Sequence, residues 1–153
     1  MTHLCCDVLK RLAGKTLCTA ESCTGGGIGT ALTAISGSSA VYKGGIISYT
    51  NEIKHDLLGV DHALLDTHGA VSAPVAEAMA EGARKALQAD IAVSVTGLAG
   101  PGGDDFGNPV GRVYIGYCDE KCTQHREFTF SGGREAVRSQ AVREALKLIL
   151  EHN

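Results

Sequence analysis

Residues 16–29 read Thr16-Leu-Cys-Thr-Ala-Glu-Ser-Cys-Thr-Gly-Gly-Gly-Ile-Gly29. Thr16 to Ala20 has the composition of a short strand, and Ile28, Leu32 and Ile35 continue it with apolar residues at helical spacing. The reading is therefore strand, tight loop over Glu21–Gly26, helix. Such a loop gathers backbone N–H groups at the positive end of a helix, where an anion or a developing oxyanion is favoured. Gly25, Gly26 and Gly27 leave the backbone open to a ligand, and Ser22 stands beside the same pocket. A plain glycine-rich turn, with Ser22 or Thr24 as a helix cap, fits the segment equally well. The two common nucleotide fingerprints do not fit: no Gly-Lys-Ser/Thr follows, and the glycines are not spaced G-x-G-x-x-G. Nor is this the G-x-S-x-G elbow of α/β-hydrolases.

Outward from this loop, helical and strand patterns interleave. Leu4 to Leu12 is amphipathic and ends at Gly14; Val41 to Tyr49 reads as a strand whose Gly44-Gly45 pair marks a bulge or close backbone approach. Thr50 or Asn51 caps a short helix through Leu58, and Asp61 to Thr67 is a second helical piece. Ser72 and Pro74 open a longer helix to about Gln88. Ile91 to Thr96 is the best candidate for a buried central strand, and a glycine-rich segment to Val110 follows it. Arg112–Cys118 and Thr123–Phe130 form a hairpin, and a last helix begins after Ser131-Gly-Gly133. The expected fold is α/β, a three-layer α/β/α arrangement with a mixed, partly parallel sheet, in one domain spanning residues 1–153. Ligands on such sheets gather beyond the carboxyl ends of the strands, and both glycine-rich loops follow strands.

Composition narrows the function. A chain of 153 residues with net charge −3 and interspersed signs has no basic surface or aromatic stripe for nucleic acid. No run of apolar residues is long enough for a membrane span, and the N-terminus has no basic-then-apolar leader pattern, so a cytoplasmic protein is expected. The six cysteines follow neither C-x-x-C nor zinc spacing and read as free thiols. A small domain of this kind is compatible with a symmetric homo-oligomer.

A serine hydroxyl needs a base, and none of the six histidines has an evident orienting partner. Lys54 offers another route. If the strand ends near Tyr49 and a helix begins near Asn51, Lys54 falls in the first turn, where the helix dipole and burial both disfavour its charged form. A neutral amine there can act as general base; otherwise Lys54 is an ordinary solvated lysine.

The strings AESCTGG (20–26), SGSSAVYKGGIISYTNEIK (36–54), HGAVS (68–72), VSVTGLAGPGG (93–103), NPVGRVYIG (108–116) and FSGGREAVR (130–138) together resemble the CinA C-terminal domain family. That family includes stand-alone nicotinamide-nucleotide amidohydrolases, also called nicotinamide mononucleotide deamidases. The resemblance implies a catalytic set of Ser22, Tyr49 and Lys54. It implies hydrolysis of the carboxamide of nicotinamide mononucleotide to nicotinic acid mononucleotide and ammonia, with no metal or organic cofactor. In this scheme Tyr49 bonds to Ser22 or relays a proton, and the N–H groups of Thr24, Gly25 and Gly26 form the oxyanion hole. Two places are open for the phosphate: Thr96, Gly97 and Gly100 of the second glycine-rich loop, or Arg134 and Arg138 at the start of the last helix, which otherwise form a solvated face. Asp104 and Asp105 are expected to face solvent or ribose. Cys23 ranks below Ser22 as nucleophile. The competing readings are a nucleotide-binding or regulatory module without turnover, and a Ser/Lys hydrolase of another small amide.

Overall fold

The computed structural model describes residues 1–153. Five strands form one sheet in the order β2-β1-β3-β4-β5: β1 (Leu17–Glu21), β2 (Tyr42–Ile47), β3 (Ile91–Gly97), β4 (Arg112–Cys118) and β5 (Thr123–Thr129). β1 runs parallel to β2 and β3, while β4 and β5 are antiparallel additions, so the sheet is mixed and partly parallel as expected. Six helices cover it: α1 (Thr2–Arg11), α2 (Gly27–Thr33), α3 (Asn51–Leu58), α4 (His62–His68), α5 (Ala73–Leu87) and α6 (Arg134–Glu151).

Strand alternation sorts the helices into two layers. Leu17 of β1 and Ile91, Val93 and Val95 of β3 share a core with α1, α2 and α6. The opposite positions, Cys18, Ala20 and Ala92, are small and pack with α5 and the α3–α4 segment. Small residues on that face let α5 approach closely. Gly82 of α5 packs on the end of α3, where any Cβ would overlap the carbonyl oxygen of Leu58. Gly82→Ala is therefore expected to destabilise the fold by about 1–3 kcal/mol through overpacking, despite the better helix propensity of alanine, as urea unfolding would read.

Local chemistry sets the element ends. Thr50 caps α3, its side chain accepting from Ile53 N–H, and Gly59 ends the helix with a left-handed φ of 66°. The expected bulge in β2 is present: Leu17 pairs with Tyr42 but Cys18 with Gly44, so Lys43 is the extra residue. Strand bounds shift by one or two residues from the sequence expectation: β1 starts at Leu17 and takes Glu21 out of the loop, and β2 runs from Tyr42 and stops at Ile47, short of Tyr49.

The chain passes from β1 to β2 on one side, then back to β3 on the other side of β1. The carboxyl ends of these three parallel strands therefore flank a topological switch point, the usual place for a ligand crevice in an open α/β sheet. Ser22 follows β1, Ser48 to Lys54 follow β2, and the loop from Leu98 to Gly111 follows β3.

Candidate active site

Ser22 is fixed by the sheet itself. Its N–H donates to Val95 O (3.0 Å), and Ser48 N–H donates to Glu21 O (2.8 Å), which ties the ends of β1, β2 and β3 together. Lys54, in the first turn of α3, reaches back under this seam. Its Nζ lies 3.1 Å from Ser22 Oγ and donates to Ser48 O at 2.9 Å and to Tyr49 O at 3.5 Å.

Lys54 is only 1% exposed and makes no ion pair. Burial pushes its pKa down to about 8, the nearby Cys23 opposing the shift. The geometry suits a neutral amine. Its two N–H groups have two backbone carbonyls to satisfy, which leaves the lone pair for the Ser22 hydroxyl.

The other expected residues divide. Tyr49 is 58% exposed, and its hydroxyl accepts from Arg134 Nη2 (3.1 Å) and bonds to neither Ser22 nor Lys54. The expected Ser22–Tyr49 hydrogen bond is therefore absent, because the Tyr49 hydroxyl is turned to Arg134 while its carbonyl faces Lys54. Arg134 also donates through Nη1 to Gly100 O (2.8 Å), so the two alternatives for phosphate meet along one wall. Arg138 is not part of that wall. Its guanidinium braces the serine loop instead, donating to Cys23 O (3.0 Å) and Thr24 O (3.2 Å). The Thr96 hydroxyl donates to Ala70 O (2.8 Å), so its proton is not free for a phosphate.

The oxyanion expectation also changes. Gly25 N–H is spent on Ser22 O (3.0 Å), whereas the N–H groups of Cys23, Thr24 and Gly26 have no protein acceptor. Of these, Cys23 lines the cleft. The α2 end is closed to anions by a residue the sequence reading passed over. Glu21, 2% exposed, accepts from Ile28 N–H (2.8 Å), Gly29 N–H (3.1 Å), Thr24 Oγ1 (2.8 Å) and Thr19 Oγ1 (3.3 Å). An acidic residue shortly before a glycine-rich helix start was the available signal.

Cys23 is buried, and desolvation raises its thiol to about 11, so it is a poor nucleophile beside Ser22. All six cysteines are free thiols. Asp104 is turned onto its own loop. Although desolvation opposes it, bonds from the Asn108 side chain and the Phe106 and Asn108 amides hold its carboxyl below the ordinary value. Ser22, Cys23, Tyr49, Lys54, the loop from Thr96 to Phe106, and Arg134 line one cleft of about 620 Å³, ample for a mononucleotide. No histidine lines it.

A mixed α/β sheet with a serine and a desolvated lysine paired at the ends of its parallel strands defines a class of compact α/β domain with a Ser–Lys site. More particularly, the chain belongs to the CinA C-terminal domain family, whose model matches residues 2–152. The CinA-like protein of Synechococcus sp. (strain RCC307) is 52% identical over 141 residues, 91% of this chain but 34% of that protein. The chain thus spans about a third of the length of such relatives. Among solved structures, competence/damage inducible protein CihA from Agrobacterium tumefaciens is 42% identical with a TM-score of 0.94, covering 98% of this chain and 93% of that one. Competence damage-inducible protein A (ComA) from Klebsiella pneumoniae subsp. pneumoniae MGH 78578 is 36% identical, with a TM-score of 0.96 and coverage of 98% and 94%. No helix is long and apolar enough to cross a membrane.

Proposed function

We propose that this domain hydrolyses the carboxamide of nicotinamide mononucleotide, giving nicotinic acid mononucleotide and ammonia. The observation that carries the reading is the 3.1 Å approach of Lys54 Nζ to Ser22 Oγ, with the lysine buried and its pKa near 8. Neutral Lys54 takes the Ser22 proton as Oγ attacks the amide carbon. The oxyanion that forms is stabilised by loop amides, with Cys23 N–H replacing Gly25 N–H in that role and Thr24 N–H beside it. The proton on Lys54 passes to the departing nitrogen, the C–N bond breaks, and ammonia leaves. Water, deprotonated by the same amine, then cleaves the acyl-serine ester and restores Ser22.

Tyr49 and Arg134 act at the substrate rather than at the Ser22 proton. Arg134 opens α6, whose first N–H groups have no intrahelical partner, and it touches the glycine-rich loop, where Gly102 and Gly103 N–H have no protein acceptor. This is where the phosphate is assigned.

The test is release of ammonia and nicotinic acid mononucleotide from nicotinamide mononucleotide by the purified protein. The expected result is stoichiometric formation of both products, and loss of at least about 10³-fold in rate for Ser22→Ala. Binding of the nucleotide without turnover by the wild-type protein would refute the hydrolase reading.

A further inference from the structure

The cleft is walled mainly by glycines, backbone and charged side chains, yet it holds two exposed aromatic rings. The chain has only four Tyr and three Phe and no Trp. Of these, Tyr49 and Phe106 alone stand among the exposed large apolar side chains, and both line this cleft. Tyr49 is tethered through its hydroxyl to Arg134 at the end assigned to phosphate. Phe106 is 50% exposed and has no such tether. Two rings exposed within one cleft, among few other apolar side chains, are the kind of aromatic lining that ligand pockets present beside their polar groups.

Phe106 is nevertheless held firmly in place. Its ring lies directly on the backbone of Gly69, where a Cβ would sit 2.6–2.9 Å from the ring atoms Cδ2, Cγ and Cε2. Gly69 has a φ of 76°, so it is glycine both for its conformation and for the ring above it. The loop carrying Phe106 is closed by Asp104, which accepts from Phe106 N–H (3.1 Å) and from Asn108 Nδ2 (2.7 Å). Asn108 Nδ2 donates in turn to Val71 O (3.1 Å), which pins the loop to the segment that bears Gly69. One part of the ring is thus seated on backbone, and the rest is presented to the cleft.

We infer that Phe106 is the platform on which the flat aromatic ring bearing the scissile carboxamide stacks, and so sets preference for aromatic over aliphatic amides. The inference rests on the amide-hydrolase reading of the same cleft. Stacking restricts the ring to one plane, which fixes how the carboxamide is presented to Ser22.

The experiment uses Ser22→Ala as a parent that binds without turning over, with Phe106→Ala and Phe106→Tyr added to it, and measures affinity calorimetrically for nicotinamide mononucleotide and for ribose 5-phosphate. Phe106→Ala is expected to weaken nicotinamide mononucleotide by about 3- to 30-fold, the range an aromatic stack supplies. Ribose 5-phosphate, which lacks the ring, should stay within about twofold, and Phe106→Tyr should keep affinity for both. In the otherwise wild-type enzyme, Phe106→Ala should raise KM for nicotinamide mononucleotide and also lower kcat, as loss of both binding and orientation of the ring does. Equal weakening of both ligands, or none of either, overturns the platform while leaving the hydrolase reading intact. A parent that binds neither ligand, together with a wild type that releases no ammonia from nicotinamide mononucleotide, overturns both.

Discussion

Lys54→Met is expected to lower kcat/KM by about 10²–10⁴-fold, the usual contribution of a general base, without weakening the fold at neutral pH. The lysine sits in the folded protein with a pKa of about 8 against an ordinary value near 10.5, and burial is the cause. Below pH 8 both folded and unfolded chains carry the proton, and the cost of burying the charge is fully present. Between pH 8 and about 10.5 the unfolded chain still holds a proton that the folded chain has lost, so stability rises with pH across that window. The difference corresponds to about 3 kcal/mol. Methionine keeps the unbranched apolar stem, one atom shorter, and removes the charge, but leaves Ser48 O without its donor at 2.9 Å, a loss of about 1–3 kcal/mol. At pH 7 the two effects leave the variant between neutral and about 2 kcal/mol more stable. By pH 10.5 the wild type has regained its stability, and the variant should be the weaker of the two. Urea unfolding at both pH values reads this crossover. In the wild type, kcat/KM for the amide should rise with pH through an apparent pKa near 8, as Lys54 becomes neutral. A limb appearing only near pH 10 would remove Lys54 as the base.

The parts of this site that a sequence displays are those set by local rules. β1, the loop and α2 follow from a change of periodicity at a run of glycines, and the first-turn position of Lys54 follows from Thr50 as cap and the end of β2. Distant partnerships leave no such trace. Arg134 and Tyr49 are 85 residues apart, and Arg138 and Cys23 are 115 apart; in sequence the two arginines look alike, one helical turn from each other. Only the placement of α6 beside α2 and the cleft gives one of them to the cleft wall and the other to the serine loop. Tyr49 shows the same limit at shorter range. Its position beside Lys54 was legible, but whether the phenol or the carbonyl faced the lysine depended on how the edge strand β2 ends.

Glu21→Ala is expected to cost about 3–5 kcal/mol of stability and, separately, activity per folded molecule. The carboxylate is buried without a cation, and its partners are the N–H groups that open α2 together with two threonine hydroxyls. Removing a helix cap costs about 0.5–2 kcal/mol, and each buried donor left unpaired about 1–3 kcal/mol. Against this stands the relief of no longer burying a charge, which keeps the total below the plain sum. The same contacts fold the Ser22–Gly26 loop back onto the start of α2, so their loss frees the backbone that aims Ser22 Oγ at Lys54. At a temperature where circular dichroism shows the variant folded, kcat should fall by at least about tenfold, since a small misplacement of the nucleophile is enough. Glu21→Gln tests charge against shape. Its carbonyl oxygen can still accept from Thr24 Oγ1 and Ile28 N–H, but its NH₂ meets Gly29 N–H donor to donor. It should therefore recover part of the stability and part of kcat. A Glu21→Ala protein as stable and as active as wild type would mean that the serine loop holds its shape without the carboxylate, and that Arg138 alone braces it.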